Sequence, residues 1–264
     1  MSGLEDLLVR TKSENRAALI GYLPAGFPSK KECISAIKAM VDGGVDAIEI
    51  GYPYSDPVMD GPVIQAAAEQ SLSNGTGASD VFDILEATVK LGVPAVVMTY
   101  WNPIERYGVN EFAAEIAKRG GSGVITPDLT IEESNGWKAA CAKAEINRIY
   151  VVAPSTSGER LPSVASQCSG FVYAASLMGV TGTRGAVSGN ASELVSRIKK
   201  ETNTPVAVGL GVSNGAQARE VAQYADGVIV GSAFIKKIQE AKNFKKALKD
   251  LTSLAEELAK GVRR

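Results

Sequence analysis

Two carboxylates frame the stretch Ile48-Glu49-Ile50-Gly51-Tyr52-Pro53-Tyr54-Ser55-Asp56-Pro57-Val58-Met59-Asp60-Gly61. Glu49 interrupts a short apolar run, where an acid is rarely buried without a partner or a task. Side chains along a strand alternate faces, so Ala47, Glu49 and Gly51 share one side and Ile48 and Ile50 the other. Among small and apolar neighbours, Glu49 is expected to face inward and to hold its proton above the usual carboxylate range, because desolvation disfavours the charged form. Asp60 precedes Gly61-Pro62, and proline suits a first helical position. Asp60 should therefore lie near a helix amino terminus, where the macrodipole and free N–H groups favour the ionised form. One carboxyl that keeps its proton beside one that stays ionised is how a site divides acid and base roles. A salt-bridged Glu49 and a helix-capping Asp60 are the plainer readings of the same residues. The chain has no histidine, which excludes histidine-dependent triads and metal sites and leaves proton transfer to Glu, Asp, Lys, Tyr or Cys.

A second group of residues lies late in the chain. Gly179-Val180-Thr181-Gly182-Thr183, Gly209-Leu210-Gly211-Val212-Ser213 and Gly231-Ser232-Ala233 each follow an apolar run and precede a helical pattern. Glycine there lets backbone approach an anion at a helix amino terminus, which points to a phosphate site. Turns use glycine in any case. The stretch from Met178 to Asn190 reads as a lid or as a surface loop. Tyr22, Tyr100 and Tyr173 fall at or near the ends of apolar runs, where they line a pocket for an aromatic substrate or simply pack.

Positioning these groups falls to a regular alternation. Apolar runs read as strands at Ala17–Leu23, Asp46–Gly51, Pro94–Tyr100, Gly123–Asp128, Arg148–Ala153, Phe171–Ser176, Pro205–Gly209 and Gly227–Val230. Helical patterns separate them: from Ser29 to Asp42, Pro62–Ser73, Ala78–Leu91, Asn110–Arg119, Ile131–Ala144, Leu161–Gln167, Ala191–Glu201 and Asn214–Gln223. Ala233–Glu240 and Asn243–Ala259 follow the last run, and an amphipathic helix at Gly3–Lys12 precedes the first. Unalternating apolar runs suit parallel strands covered on both faces. The count, and the lack of an internal linker, predict a single (β/α)8 TIM barrel with an extra N-terminal helix, one domain over residues 1–264. An open dinucleotide-binding sheet would need a G-x-G-x-x-G turn after the first strand, and none is there. In such a barrel the chemistry belongs to the loops at the carboxyl ends of the strands.

Composition narrows the class. Of the 264 residues 45% are hydrophobic, which suits one large core, and the net charge of -1 leaves no electrostatic footprint for nucleic acid or an anionic membrane. Three scattered cysteines, Cys33, Cys141 and Cys168, suggest a reducing compartment with neither disulfides nor a zinc site. The charged start of the chain lacks a signal-peptide core, and no apolar run nears the roughly 20 residues of a membrane span. A cytoplasmic location is the expectation.

Taken together, Glu49-Ile50-Gly51, Tyr54-Ser55-Asp56-Pro57 and Asp60-Gly61-Pro62-Val63-Ile64-Gln65 closely resemble the tryptophan synthase alpha subunit family. Ala25-Gly26-Phe27-Pro28, Pro127-Asp128-Leu129 and the three late glycine stretches agree, so the resemblance covers essentially the whole chain. It implies a lyase that cleaves indole-3-glycerol phosphate to indole and glyceraldehyde 3-phosphate by a retro-aldol reaction, with no cofactor in this chain and no metal. It further implies that Glu49 protonates the indole ring carbon and takes the hydroxyl proton, while Asp60 holds the indole N–H. Phosphate contacts would carry over to Gly182, Gly211, Gly231 and Ser232, pocket positions to Tyr22, Tyr100 and Tyr173, and the lid to Thr181. The implied partner is a pyridoxal-phosphate-dependent beta subunit in an alpha2-beta2 heterotetramer, met by Pro53, Asp56 and Pro57. Thr130 and Met59 depart from the family pattern, which bears on loop stiffness and partner communication rather than on the reaction. A non-catalytic activator would not need both acids. A phosphosugar isomerase or epimerase would leave the partner-loop motif unexplained, and a carboxylate-pair glycosidase would leave the glycine loops without a role.

Overall fold

The strand sequences are apolar at consecutive positions because both of their faces are covered; Ala95–Met98 and Gly227–Val230, for example, are buried at every residue. The computed structural model describes residues 3–175, 186–209 and 211–263. In chain order the elements are α1 (Gly3–Ser13), β1 (Ala18–Pro24), α2 (Lys30–Asp42), β2 (Ala47–Gly51), α3 (Pro62–Ser73), α4 (Ala78–Val89) and β3 (Ala95–Met98). There follow α5 (Trp101–Tyr107), α6 (Val109–Lys118), β4 (Gly123–Thr126), α7 (Asn135–Ala144), β5 (Asn147–Val152), α8 (Arg160–Gln167) and β6 (Val172–Ala175). The chain ends with α9 (Ala186–Glu201), β7 (Val206–Gly209), α10 (Gly215–Ala222), β8 (Gly227–Val230), α11 (Ser232–Gln239) and α12 (Phe244–Gly261). The strands are parallel and close into an eight-membered barrel in sequence order, with β8 returning to β1 through the register Ala18 to Gly227.

Strand parity divides the apolar residues into two layers. Ile48 and Ile50 join the outer core between strands and helices, while Ala47 joins an inner cluster with Ala18, Ile20, Val96, Ile125, Ile149, Phe171, Ala207 and Ile229. Leu4, Leu7 and Leu8 of α1 belong to that inner cluster. Gly3 lies beside Pro94, just before β3, and Leu4 beside Gly170, just before β6. The N-terminal helix therefore closes the amino end of the barrel, and a ligand must enter at the other end. Near the same end Arg16 makes a forked pair with Asp46 at 2.6 and 2.9 Å, and its backbone bridges to Arg263. This joins the two ends of the chain.

Three elements depart from the sequence reading by more than two residues or are missing from it. Helix α5 was absent from it: its seven residues carry no apolar period, and Pro103 in the first turn reads as a loop signal although a missing N–H costs nothing there. Helix α7 starts at Asn135 rather than Ile131, because residues 131–134 form turns closed by the Ser134 N–H and hydroxyl on the Ile131 carbonyl. Helix α9 starts at Ala186, so the last part of the stretch read as a loop up to Asn190 is helical.

Candidate active site

Glu49 lies mid-strand in β2, opposite Tyr22 of β1 and Val96 of β3, and is 2% exposed. Its inward position follows from the parity of Ala47 and Gly51. Burial, with a smaller contribution from the Asp60 charge, pushes its carboxyl from 4.5 to about 8. Its Oε2 has no hydrogen-bond partner among the described residues. A buried acid that keeps its proton at neutral pH and points an unused oxygen into the barrel is prepared for a ligand rather than for a salt bridge.

Tyr22 and Tyr173 stand on either side of the same space. Both hydroxyls are pushed well above their ordinary value, first by burial and then by the carboxyls of Glu49 and Asp60. Two strand-end glycines make room for these rings: a Cβ at Gly51 would run into the Tyr22 hydroxyl, and one at Gly209 into that of Tyr173. Tyr100, the residue before α5, is 2% exposed, and its hydroxyl is pushed up to about 12, chiefly by burial.

Asp60 departs from expectation. The residue that precedes α3 as its cap is Gly61, with no side-chain cap bond, and Asp60 receives no helix N–H. Its side chain turns inward and accepts a 3.3 Å hydrogen bond from the Tyr100 hydroxyl. Burial raises its pKa above the ordinary range and the Tyr100 bond lowers it. The two acids are thus not in opposite environments. What separates them is that Asp60 has a hydroxyl donor whereas Glu49 Oε2 has none.

The loop between β2 and α3 is held from the next loop along the barrel. The Met59 N–H donates to the Tyr100 hydroxyl at 3.0 Å, and Gln65 Nε2 donates to the Asp60 carbonyl at 2.8 Å. The Tyr54 ring lies on Tyr100 with centroids 5.2 Å apart, and Asn102 Nδ2 donates to the Tyr54 hydroxyl at 2.9 Å. Asp128 holds the start of α5, accepting the Trp101 N–H with both oxygens at 2.9 and 3.1 Å. Tyr54, Asn102 and Asp128 were not picked out as site residues. The Asn102-Pro103 pair is the signal that could have revealed the helix start.

The late loops differ from one another. Around the loop before α10, Asn214 Oδ1 accepts the Gln217 N–H at 3.0 Å, Glu257 Oε1 the Gly215 N–H at 2.8 Å and Gln217 Oε1 the Ser213 N–H at 2.8 Å. Gly211 precedes this closed set and takes a φ of 78°. Helix α11 begins at Ser232 after Gly231 and has no capping side chain, so its first N–H groups remain available to an anion. Gly231 packs beside the Tyr22 ring, which sets α11's amino end next to the pocket. Thr181 and Gly182 lie outside the described residues. Among the described residues no cluster of three metal-binding side chains occurs, and no helix is long and apolar enough to cross a membrane.

On the outer side of the β2–α3 loop Pro53 is buried, Pro57 is half-buried and Asp56 is exposed. They adjoin a cleft of about 380 Å³ whose walls include Tyr52, Tyr54, Leu72, Asn102 and Tyr107. Val58, Met59, Leu72 and Tyr107 are 76%, 46%, 37% and 42% exposed, a concentration of apolar surface around this loop and α5. Thr130 forms a turn, its hydroxyl donating to Glu133 at 3.0 Å. A larger crevice of about 450 Å³ lies on the outer surface between α10 and α12, lined by Arg219, Glu257 and Lys260 among others.

Comparison with known proteins gives one consistent result. Residues 8–263 match the family model described as tryptophan synthase alpha chain. The chain is 52% identical over 266 residues to the tryptophan synthase alpha chain of Thermobifida fusca, covering 100% of this chain and 98% of that one. It is 54% identical over 261 residues to that of Streptomyces coelicolor, covering 98% and 96%. Among solved structures, one of Mycobacterium tuberculosis tryptophan synthase superposes with a TM-score of 0.92 at 49% identity, covering 100% of this chain and 99% of that one.

Proposed function

The chain belongs to the tryptophan synthase alpha chain family, and from that premise we propose that Glu49 carries the proton transfers of its reaction while Asp60 holds the substrate's indole. The family makes it a carbon–carbon lyase of tryptophan biosynthesis, cleaving indole-3-glycerol phosphate by a retro-aldol reaction to indole and glyceraldehyde 3-phosphate. The observation that supports the assignment of the acid is Glu49: fully enclosed, protonated up to about pH 8, with one oxygen unused.

The steps follow from those states. Protonated Glu49 delivers its proton to the indole ring carbon that bears the side chain, and positive charge develops on the ring nitrogen. Asp60, accepting from Tyr100, takes the indole N–H and stabilises that charge. The Glu49 carboxylate then accepts the proton of the adjacent hydroxyl, the carbon–carbon bond breaks, the aldehyde forms and Glu49 is again protonated. Tyr22, Tyr100 and Tyr173 supply the walls for the aromatic ring. The phosphate sits at Gly231 and Ser232, where α11 offers free N–H groups, with Gly211, Gly182 and the Thr181 lid completing the site. Glu49 supplies the proton transfers and Asp60 the charge stabilisation, so this reading assigns no cofactor to the chain.

The partner is the beta subunit of the synthase, in an alpha2-beta2 assembly that carries the pyridoxal phosphate. Pro53, Asp56 and Pro57 meet it, together with the exposed Val58, Met59, Leu72 and Tyr107. We place the activity in the cytoplasm and in a single domain over residues 1–264; the three free thiols, all buried, accord with a reducing compartment.

The test is turnover of indole-3-glycerol phosphate by the purified chain with and without a beta subunit. Indole is expected in at least one condition, and none in either sinks the reading. Glu49→Gln preserves shape and removes the acid. It should lose at least the roughly 10²–10⁴-fold of a general acid–base group with an unchanged circular dichroism spectrum; retention of most activity would move the role elsewhere.

A further inference from the structure

We propose that Tyr54 and Asn102 are positioning residues for Asp60: the Asn102 amide holds the Tyr54 ring against Tyr100, and Tyr100 fixes the Asp60 carboxylate. The proposal rests on the reading that Asp60 acts on the substrate in its ionised form. Tyr100 uses its hydroxyl twice, accepting from the Met59 N–H at 3.0 Å and donating to Asp60 Oδ2 at 3.3 Å. Both bonds depend on where the Tyr100 ring lies. One face of that ring is covered by Tyr54, at a centroid distance of 5.2 Å and an interplanar angle of 32°. Tyr54 comes from the same loop as Asp60 but is only half-buried, so its own position needs a second support. Asn102 provides it, donating to the Tyr54 hydroxyl at 2.9 Å from the first turn of α5. That turn is itself anchored through the Trp101 N–H on Asp128. Tyr54 and Asn102 also line the outer cleft, so the latch is reachable from the surface while Asp60 works inside.

Among the described residues, the titratable groups facing Asp60 are Tyr22 from β1, Glu49 from β2, Tyr100 after β3 and Tyr173 from β6, and none of these is a cation. The Tyr100 hydrogen bond lowers the pKa of Asp60 against the burial that raises it. Loosening the latch weakens the lowering contribution and leaves burial in place. The Asp60 pKa then rises, and the acid limb of the rate profile moves to higher pH.

Tyr54→Phe keeps the ring and loses only the bond to Asn102; Asn102→Ala removes the donor from the other side. In each, kcat for indole-3-glycerol phosphate should fall about two- to tenfold, the size of one hydrogen bond's net contribution, with little change in KM. The Asp60 carboxyl, followed by carbon-13 NMR titration of the free protein, should titrate at higher pH than in the wild type. In a Tyr100→Phe background Tyr54→Phe should cost little further, since the two act through one group. Wild-type kcat with an unmoved Asp60 titration overturns the proposal, as does a loss confined to KM or one that adds fully to Tyr100→Phe. Absence of turnover in the wild type would count against the lyase reading alone, because the NMR titration still decides the latch.

Discussion

The protonated state that suits Glu49 to its proposed role works against the stability of the fold as pH rises. Its carboxyl is raised from 4.5 to about 8 in the folded chain, so between those values the native state binds a proton that the unfolded chain has released. Stability contributed by the other groups is therefore eroded as pH climbs through this window, by on the order of a few kcal/mol in all. A neutral isostere removes the liability. Glu49→Gln should raise the melting temperature at pH 8 relative to wild type and raise it much less at pH 5, as read by calorimetry. An equal gain at both pH values would mean that the carboxyl is not held protonated. The carboxyl proposed to carry the proton transfers thus destabilises the fold as pH rises, which is the expected trade at a functional site.

At the level of elements, α5 is the piece that joins chemistry to surface. It has only seven residues, too few for isolated helical stability, so its place is set by its contacts. Trp101 packs edge-on against Trp137 at 6.1 Å and Tyr107 against Phe82 at 5.3 Å, while Asp128 takes the first N–H. Asp128→Ala removes an anionic acceptor from the helix start. The expected loss is about 1 kcal/mol, as for a helix cap, measured as a lower urea midpoint, with Asp128→Asn losing less. An unchanged midpoint in Asp128→Ala would mean that aromatic packing alone fixes α5.

For the molecule as a whole, the barrel has a closed end and a working end. Leu4, Leu7 and Leu8 fill the amino end, each at most 4% exposed, and share one cluster with inward residues of β1, β2, β3, β4, β5, β7 and β8 and with Phe171 just before β6. Leu7→Ala should cost about 2–5 kcal/mol by leaving a cavity there, seen in chemical denaturation. Well below the melting temperature kcat should stay near wild type, because the plug touches no reacting group. A selective loss of kcat with unchanged stability would contradict this division of the barrel.

Much of this was legible without coordinates. Strands covered on both sides must be apolar at successive positions, so the eight runs and the intervening helices, and with them the closed barrel, can be read directly from residue order. Period-two parity alone turns Glu49 inward, and burial then dictates the direction of its pKa. The start of α2, capped by the Ser29 side chain, was equally readable. What only the tertiary structure decided depends on contacts between segments far apart in the chain. Tyr100 reaches Asp60 across 40 positions and Asn102 reaches Tyr54 across 48. No local period reports which loops will face one another once the barrel closes. For that reason Asp60 read as a helix-end carboxylate in the sequence, α5 went unseen, and the donor that separates Asp60 from Glu49 emerged only when neighbouring strands brought Tyr100 beside them.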